Sequence, residues 1–407
     1  MRLDFLTERA KASHPARTAS GRVMLVFGTR PEAIKVAPVV LAMQKAGDIE
    51  PIVVVTNQHS EMLDQVLEVF GIEPDEQLGI FKPGQSLTEI TARALQGLSP
   101  AIEKYRPDAL VVQGDTTTTL TAALAALYTE TPVAHMEAGL RTDQRYSPFP
   151  EELNRRMTSQ MATLHLAPTR ASRDNLLAEN IDPAAIFVTG NTVIDSLLWT
   201  VDRKLSYGDE RLEGLDHDDR RVLLVTAHRR ESWGEGMRRI GNAVAEIARD
   251  EPDLLIVVPL HKNPLVREAI VPQIEHFDNV IIVEPLAYGG FSRLIHRSHI
   301  VLTDSGGVQE EAPSLGKPVL VMRETTERPE AVEAGTSRLV GTDSRAIVDS
   351  VRTLLHDENA YRAMAHAINP YGDGFAAERT VQAIQYFFGL AERPADMTQA
   401  EITRLAV

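Results

Sequence analysis

The sequence predicts an α/β protein of two domains, in which parallel sheets lie between layers of helices. Short runs of Val, Ile and Leu alternate with longer stretches of helical spacing, and these runs are apolar throughout, as strands buried on both faces are. The pattern of strands and helices restarts after residue 220. With 407 residues, the chain also exceeds what one hydrophobic core usually holds.

The predicted elements follow one another in a regular order. In the first half, apolar runs predict strands at 23–27, 52–56, 109–113, 132–136, 164–167 and 186–188. Helical spacing predicts helices at 34–46, 62–70 and 116–128, of which the first two end before a glycine. In the second half, apolar runs predict strands at 221–226, 254–258, 280–283, 299–303 and 318–322, before a last helix at about 376–390.

These elements divide the chain into two predicted domains. The first comprises 21–189 and the second 190–373, while the helix within 374–390 precedes a loose tail at 391–407. The first twenty residues carry charges throughout and contain no apolar segment. We therefore predict that 1–20 form a short N-terminal extension and not a secretory signal.

The composition argues against several classes of protein. The net charge of −15 disfavours nucleic-acid binding, which needs clustered Lys and Arg against the phosphates. The absence of cysteine removes disulfides, thiolate nucleophiles and cysteine-based metal sites. No apolar run approaches the roughly 20 residues that span a bilayer. We expect a cytoplasmic protein that binds neither nucleic acid nor membranes.

Two cations follow the first predicted strand. Open α/β sheets bind ligands beyond the carboxyl ends of their strands, and Arg30 and Lys35 lie there near the start of a helix. With the free N–H groups of the helix N-terminus, they form a candidate anion site. The simpler alternative is a capped surface turn.

Three carboxylates are predicted to reach the same rim. Asp115 and Glu137 fall just past the ends of strands, and Glu151 begins a helix that carries Arg155 four residues later. Carboxylates in one cleft can take different pKa values, as acid–base chemistry at carbon requires. The alternatives are that Asp115 only caps its helix and that Glu151 and Arg155 form a solvated ion pair.

Cationic and aromatic residues follow the strands of the second half. His228 and Arg229 come after the first of these strands, and His261 comes after the next. Such positions suit a phosphate or a leaving group. Phe291 comes after the third strand and suits a planar ring, although a loop with a buried aromatic residue is the alternative.

A glycine pair follows the fourth strand of the second half. Ser305, Gly306 and Gly307 separate this strand from a helix, which leaves consecutive N–H donors for an anion. Glu311, one turn into that helix, can accept two hydrogen bonds from a ribose diol. Arg328, further along, suits a phosphate or a neighbouring carboxylate.

Together these motifs resemble those of the non-hydrolysing UDP-N-acetylglucosamine 2-epimerases, from about Val23 to Leu390. The matching blocks are Phe27–Lys35, Gln113–Thr116, Glu137–Arg141, Pro148–Glu152, His228–Glu231, Thr303–Pro318 and Thr325–Pro329. The resemblance implies a glycosyltransferase-B-type architecture, with two Rossmann-like domains, a deep interdomain cleft and a C-terminal helix that crosses back to the first domain. The second domain would bind UDP.

The resemblance also implies a reaction. UDP-N-acetylglucosamine (UDP-GlcNAc) would be reversibly epimerised at C2 to UDP-N-acetylmannosamine (UDP-ManNAc), by elimination of UDP to 2-acetamidoglucal and re-addition. It implies no cofactor, neither nicotinamide nor metal, in agreement with the missing G-x-G-x-x-G motif and with the absence of an obvious metal-ligand cluster. It further implies a homodimer.

Site roles are implied for the residues in matching positions. The implied catalytic residues are Asp115, Glu137, Glu151 and His228. The implied substrate-binding residues are Arg30, Lys35, Arg155, Phe291, Ser305, Gly306, Gly307, Glu311 and Arg328. Gln58, Arg229 and His261 match part of a second, regulatory substrate site, from which the sequence departs at Glu61.

Three other functions are compatible with parts of the sequence. A hydrolysing relative would release free ManNAc and UDP, and a glycosyltransferase of the same fold would pass the sugar to an acceptor. A non-catalytic sensor of nucleotide sugars would be expected to have lost Asp115, Glu137 or Glu151, and all three are present.

Overall fold

The computed structural model describes residues 21–57, 60–80, 82 and 84–398, which separate into two compact units. Among these residues, the first unit comprises those up to Ser196 together with Tyr371–Thr398. The second unit comprises Leu197–Pro370. The predicted extension at 1–20 and the end of the predicted tail lie outside the described residues.

The first unit contains a parallel sheet. Its strands are β1 (Gly21–Phe27), β2 (Ile49–Val55), β3 (Glu76–Gln77), β4 (Ala109–Gln113), β5 (Val133–Met136), β6 (Leu164–Ala167) and β7 (Ile186–Val188). They lie in the order β3-β2-β1-β4-β5-β6-β7, and all neighbours are parallel. The strand order reverses between β1 and β4, so the loops after these two strands flank the point where open sheets bind ligands.

The second unit repeats this arrangement with six strands. They are β8 (Arg221–Thr226), β9 (Leu254–Pro259), β10 (Val280–Val283), β11 (Ile300–Thr303), β12 (Val319–Val321) and β13 (Ser337–Leu339). The order β10-β9-β8-β11-β12-β13 is again parallel throughout and reverses between β8 and β11. The predicted α/β class with two parallel sheets is confirmed. The sequence did not reveal β3 and β13, because these short edge strands lack a continuous apolar run.

The strands are apolar throughout because both faces of each sheet are covered. In β8, Leu223 and Val225 pack into one buried cluster, whereas Val222 and Leu224 pack into another. Side chains of a strand alternate between the two faces, so a strand covered on one face only would alternate apolar and polar residues. The continuous runs therefore reflect helices on both sides of the sheet.

Helices connect the strands. In the first unit they are α1 (Arg30–Ala46), α2 (Ser60–Phe70), α3 (Leu87–Tyr105), α4 (Thr117–Tyr128), α5 (Glu151–Met161) and α6 (Arg170–Ala178). The boundary between the units lies in α7 (Thr192–Asp202). In the second unit they are α8 (Glu235–Asp250), α9 (Pro264–Ile274), α10 (Tyr288–Arg297), α11 (Gly306–Glu311), α12 (Pro329–Glu333), α13 (Ser344–His356) and α14 (Glu358–Ala365). Among the described residues, no helix is both long and apolar enough to cross a membrane.

Helix α1 begins four residues earlier than predicted. Thr29 and Glu32 form a capping box at its N-terminus, and Pro31 occupies the first turn, where its missing N–H costs nothing. Arg30 is consequently the first helical residue. The apolar spacing, which starts only at Ile34, did not reveal this polar first turn.

After the second unit, the chain returns to the first. Helix α15 (Ala376–Phe387) belongs to the first unit and packs on α1. Its first N–H groups, of Ala376 and Ala377, donate to the buried carboxylate of Asp195 in α7. A buried acceptor at the helix N-terminus satisfies donors that the helix itself cannot.

The described part of the predicted loose tail, 391–398, is held against β7, so that prediction is wrong for these residues. Arg393 donates to the carbonyl oxygens of Ala184 and Ile186. The N–H of Met397 donates to the carbonyl of Val188 at 2.7 Å, the N–H of Val188 donates to Asp396 Oδ1 at 2.9 Å, and the Met397 side chain is buried. Backbone pairing and one anchoring methionine fix a segment whose composition alone predicts no structure.

Candidate active site

A buried glutamate joins the loops after β1 and β4. Glu32, in the first turn of α1, accepts hydrogen bonds from the N–H groups of Gly28 (3.0 Å) and Thr29 (2.7 Å). It also accepts from the hydroxyls of Thr116 (2.6 Å) and Thr119 (3.3 Å). Burial raises the pKa of Glu32, and these donors partly offset that effect. The site in the first unit is built on this connection.

Lys35 and Glu137 form a largely buried ion pair next to it. The Lys35 Nζ lies 2.6 Å and 2.7 Å from the two carboxylate oxygens of Glu137. Gln113 Nε2, at 2.5 Å, and Asn191 Nδ2, at 3.2 Å, donate to the same carboxylate. Several donors around a partly desolvated carboxylate stabilise its ionised form.

The backbone of the loop after β5 is unusual. Glu137 has a φ of 61°, a left-handed conformation that is uncommon for residues other than glycine. Gly139 has a φ of 93°, and a Cβ added there would lie 2.1 Å from the carbonyl oxygen of Ser172. Only glycine fits at this position. The loop is thus constrained where it presents the Glu137 side chain to Lys35.

Asp115 follows β4 and pairs with Arg155 of α5. The Asp115 Oδ2 lies 2.9 Å from Arg155 Nη2, and its backbone carbonyl accepts a hydrogen bond from Asn154 Nδ2 at 2.8 Å. Burial raises the pKa of the Asp115 carboxyl group; Glu137 and Glu151 add to the rise, and Arg155 and Lys35 oppose it. The three predicted carboxylates therefore lie close enough to influence one another.

Glu151 is the first residue of α5. Its Oε2 atom is buried and has no hydrogen-bond partner within the described part of the chain. The side chain of Arg155 turns to Asp115, so the ion pair that the spacing of Glu151 and Arg155 suggested is not formed. The structure places Arg155 as a support of Asp115 and leaves Glu151 with an unsatisfied buried oxygen.

A neutral histidine supports the loop after β4. His135 of β5 is buried, and its Nε2 lies 2.7 Å from the carbonyl oxygen of Gly114. Burial lowers the pKa of His135 to about 4, so the ring is neutral near pH 7 and donates Nε2–H to that carbonyl. Its neighbour across the sheet, His165, is also buried, and burial lowers the pKa of His165 to about 3.

At the strand-order reversal of the second unit, Asp304 connects the loops after β8 and β11. It is completely buried, and its Oδ2 accepts from the N–H groups of His228 (2.7 Å) and Arg229 (2.8 Å). Arg229 Nε donates in turn to the carbonyl oxygen of Asp304 at 3.2 Å. The His261 ring stacks on that of His228, with centroids 5.9 Å apart. The predicted cations His228, Arg229 and His261 are thus brought together.

The glycine pair, predicted to separate β11 from the next helix, begins that helix, α11. Ser305 precedes the helix without a side-chain cap, and Gly306 and Gly307 are its first residues. Glu311, at its end, is buried and accepts from the hydroxyl of Tyr288 at 3.3 Å. The first N–H groups of α11 have no partner within the helix, as is general at helix N-termini.

Two further predicted residues, Arg328 and Phe291, contact other side chains of the second unit. Arg328 pairs with the buried carboxylate of Glu310. Phe291 of α10 is partly buried against the apolar cluster that contains Tyr207. Gln58 lies outside the described residues.

Four supporting residues escaped prediction from the sequence. They are Glu32, Glu152, Asp304 and Arg323. The capping pattern Thr29-x-x-Glu32 can be found in the sequence. The hydrogen bond from Thr116 to Glu32 cannot, because Thr116 follows a different strand. Arg323, almost fully buried, pairs with Glu327, four residues away, at 2.8 Å and with Glu231 at 2.7 Å; Glu231 lies 92 positions away, and no local spacing connects it to Arg323. Within the described part of the chain, no three His, Asp or Glu side chains form a group that could hold a metal ion.

The fold, with its two strand-order reversals, defines a doubly wound α/β protein, a class in which ligands bind at the carboxyl ends of the strands. The model of the UDP-N-acetylglucosamine 2-epimerase family matches residues 41–385. The chain belongs to this family.

Individual relatives agree with that assignment. The UDP-N-acetylglucosamine 2-epimerase of Salmonella typhimurium is 54% identical over 371 residues, which cover 90% of this chain and 99% of the relative. That of Escherichia coli K12 is 54% identical over 369 residues, covering 89% and 98%. A similar fold is found in the crystal structure of the Neisseria meningitidis UDP-GlcNAc 2-epimerase bound to UDP-GlcNAc, with a TM-score of 0.81. The two sequences are 49% identical, and the match covers 90% of this chain and 100% of the other.

The neutral state of His135 predicts a pH dependence of stability. The unfolded chain protonates this histidine near pH 6.5, but the folded protein does so only at about 4. The unfolded state therefore binds more protons in this window, and lowering the pH from about 7 to about 4 should remove about 3 kcal/mol of unfolding free energy through His135. Urea unfolding at several pH values measures this, and His135→Gln should show a correspondingly smaller loss.

The exposed His276 offers a matched control. A His276→Gln variant should keep the pH dependence of the parent protein. An unchanged pH dependence in His135→Gln would contradict the assignment of a buried, neutral ring to His135.

Proposed function

We propose that this protein interconverts UDP-GlcNAc and UDP-ManNAc without releasing free sugar. The observation that carries the proposal is the cluster of Asp115, Glu137 and Glu151 in a member of the 2-epimerase family. The N. meningitidis relative is bound to UDP-GlcNAc in its crystal structure, which supports the same substrate here. A carboxylate cluster suits proton transfer at carbon, whereas transfer to an acceptor alone would need fewer such groups.

The proposed reaction proceeds by elimination and re-addition. A base takes the C2 proton, the C2–H electron pair forms the C1=C2 double bond, and the C1–O bond breaks so that its electron pair leaves with UDP. The product is 2-acetamidoglucal. Re-addition of UDP at C1 and of a proton on the opposite face of C2 gives the epimer. These two reaction steps need one group that accepts a proton and one that supplies it.

Asp115 and Glu137 are the proposed proton-transfer pair, with Glu151 as the third carboxylate. A raised pKa brings Asp115 closer to neutral pH, where a group can both accept and return a proton. Lys35 and two side-chain amides stabilise the charge on Glu137. Glu151 Oε2, buried without a partner in the described residues, is available to the substrate.

Substrate contacts in the first unit are proposed for Arg30, Lys35 and Arg155. Lys35 and Arg155 are ion-paired to Glu137 and Asp115, so they would orient these carboxylates and share their charge with the substrate. Arg30 begins α1 beside the loop held by Glu32. Cations at this edge would compensate negative charge that develops as the C1–O bond breaks.

UDP is proposed to bind at the carboxyl edge of the second sheet. Ser305, Gly306 and Gly307 would offer N–H donors to phosphate, and Glu311 would accept from the ribose hydroxyls. Phe291 would border the uracil ring, and Arg328 would complete this site.

We propose that residues after β8 and β9 assist the departure of UDP and regulate the enzyme. His228 would assist the leaving diphosphate. Arg229 and His261 flank His228 and would take part in regulatory binding of a second substrate molecule.

Incubation with UDP-GlcNAc in D2O, followed by proton and phosphorus NMR, tests the proposal. We expect deuterium at C2 and a stable mixture of UDP-GlcNAc and UDP-ManNAc. Because Asp115 is proposed to transfer the C2 proton, Asp115→Asn should lower the rates of deuterium exchange and epimerisation by about 100-fold or more. UDP binding, measured by calorimetry, should be retained.

Asp108 provides a control near the other end of β4. It lies just before this strand, whereas Asp115 follows it, and the Asp108 carboxylate accepts the N–H of Arg22 at 2.7 Å. Asp108→Asn should keep the parent rate. Free ManNAc with equimolar UDP would instead identify a hydrolase, and unchanged substrate without deuterium would contradict epimerisation altogether.

We also propose that the protein is a homodimer that buries an apolar stripe of α4. Leu120 and Leu124 are partly exposed, Leu127 is 52% exposed and Tyr128 is 68% exposed. Spacings of three and four residues place Leu120, Leu124 and Leu127 on one side of the helix. Contiguous apolar exposure of this kind marks interaction surfaces.

Sedimentation velocity tests this assembly. The parent protein should sediment as a dimer, and Leu127→Glu should shift it towards monomer, because a charge in an apolar interface is costly to desolvate. Leu265→Glu changes an equally exposed leucine in the second unit and should leave the dimer intact. A monomeric parent protein, or a Leu127→Glu variant that dimerises as before, would overturn the proposal.

A further inference from the structure

Asp304 has no role in the chemistry proposed so far, although it is completely buried beside a predicted catalytic residue. It follows β11 directly, at the point where the strand order of the second sheet reverses. A buried carboxylate needs compensating donors, since its desolvation is costly. The donors that Asp304 recruits come from the loop after β8.

Two backbone donors fix the orientation of this carboxylate. The N–H groups of His228 and Arg229 both point at Oδ2, at 2.7 Å and 2.8 Å. With Oδ2 held in this way, Oδ1 faces the His228 ring, and Nδ1 lies 2.8 Å from it. Oδ1 is buried and has no other hydrogen-bond partner among the described residues. The ring nitrogen is therefore the group that can satisfy it.

The other groups around His228 do not compete for its Nδ1. The carbonyl oxygen of His228 accepts from Trp233 Nε1 at 3.2 Å, which fixes the backbone. The neighbouring groups are His261, whose ring stacks on that of His228, and Arg229, which turns towards the Asp304 carbonyl and lies 3.9 Å from Glu327. Although burial raises the pKa of Asp304, its contacts with His228 and with the N–H of Arg229 together outweigh burial and lower that pKa overall.

We propose that Asp304 is a positioning residue for His228, which holds a proton on Nδ1 and leaves Nε2 as the atom that faces the substrate. This inference rests on the proposed function, in which His228 assists the departure of UDP. A neutral ring in this arrangement carries its hydrogen on Nδ1. A protonated ring keeps that contact and presents Nε2–H as a charge-assisted donor to the diphosphate oxygen on which charge develops.

Histidine NMR with ¹⁵N-labelled protein measures the tautomer of His228, whose signals are identified by their loss in His228→Gln. In the parent protein, we expect the neutral ring to carry its proton on Nδ1. In Asp304→Asn the side-chain oxygen would accept from the two backbone N–H groups and the NH2 group would face the ring, so the neutral ring should carry its proton on Nε2 instead. The asparagine keeps an oxygen for the two backbone donors, so the fold should be preserved.

Turnover gives a second readout. Asp304→Asn should lower kcat by about 10-fold to 100-fold with a smaller change in KM. Asp343→Asn serves as the control, because Asp343 also accepts from a backbone N–H in the second unit, that of Ala346, but lies at the start of α13. It should leave both the tautomer of His228 and kcat unchanged.

Two results would overturn the inference: a neutral ring protonated on Nε2 in the parent protein, or an unchanged His228 tautomer in Asp304→Asn. If the asparagine variant does not fold, the tautomer in the parent protein decides alone. Because the NMR readout does not depend on turnover, a protein with the expected tautomer but no epimerase activity would refute the proposed function and retain the positioning role.

Discussion

Glu32 and Asp304 occupy related places in the two units, and the arrangement of both sites depends on them. Each is a buried carboxylate that connects the loop after the first strand of its sheet to the loop after the neighbouring fourth strand. Each accepts two consecutive backbone N–H groups. Backbone N–H groups are left without strand partners where parallel strands end. At the reversal of strand order, no crossover helix covers these N–H groups. A buried acceptor at that point satisfies the donors and fixes the relative positions of the two loops.

The charges of the first site can be buried because they compensate one another. Lys35 balances Glu137, and Arg155 balances Asp115, with side-chain amides supplying the remaining hydrogen bonds. Removing one member of such a pair would leave an uncompensated charge, which usually costs more than the pair contributes. Because of this compensation, several ionisable groups can lie close together in a largely buried place. This local balance matters in a chain whose net charge is −15.

The sequence predicted the strands and the residues at their carboxyl ends more reliably than the partners of those residues. Continuous apolar runs identify strands covered on both faces, and in a parallel sheet the loops after them meet at one edge. Arg155 shows where this reasoning stops: helical spacing pointed to Glu151, whereas the side chain reaches Asp115, 40 positions away. The contacts of Glu32 with Thr116 and of Asp304 with His228 span 84 and 76 positions. Short edge strands and the docked segment 391–398 likewise depend on neighbours that no local pattern specifies.

Hydrogen exchange in Glu32→Ala tests most directly whether this buried carboxylate holds the first site together. We expect faster amide exchange in peptides covering 28–31 and 114–119, because the loops after β1 and β4 lose their shared acceptor. Exchange in the second sheet should not change. Equal protection of both loops in the variant and the parent protein would contradict the account, since it would show that the loops keep their places without Glu32.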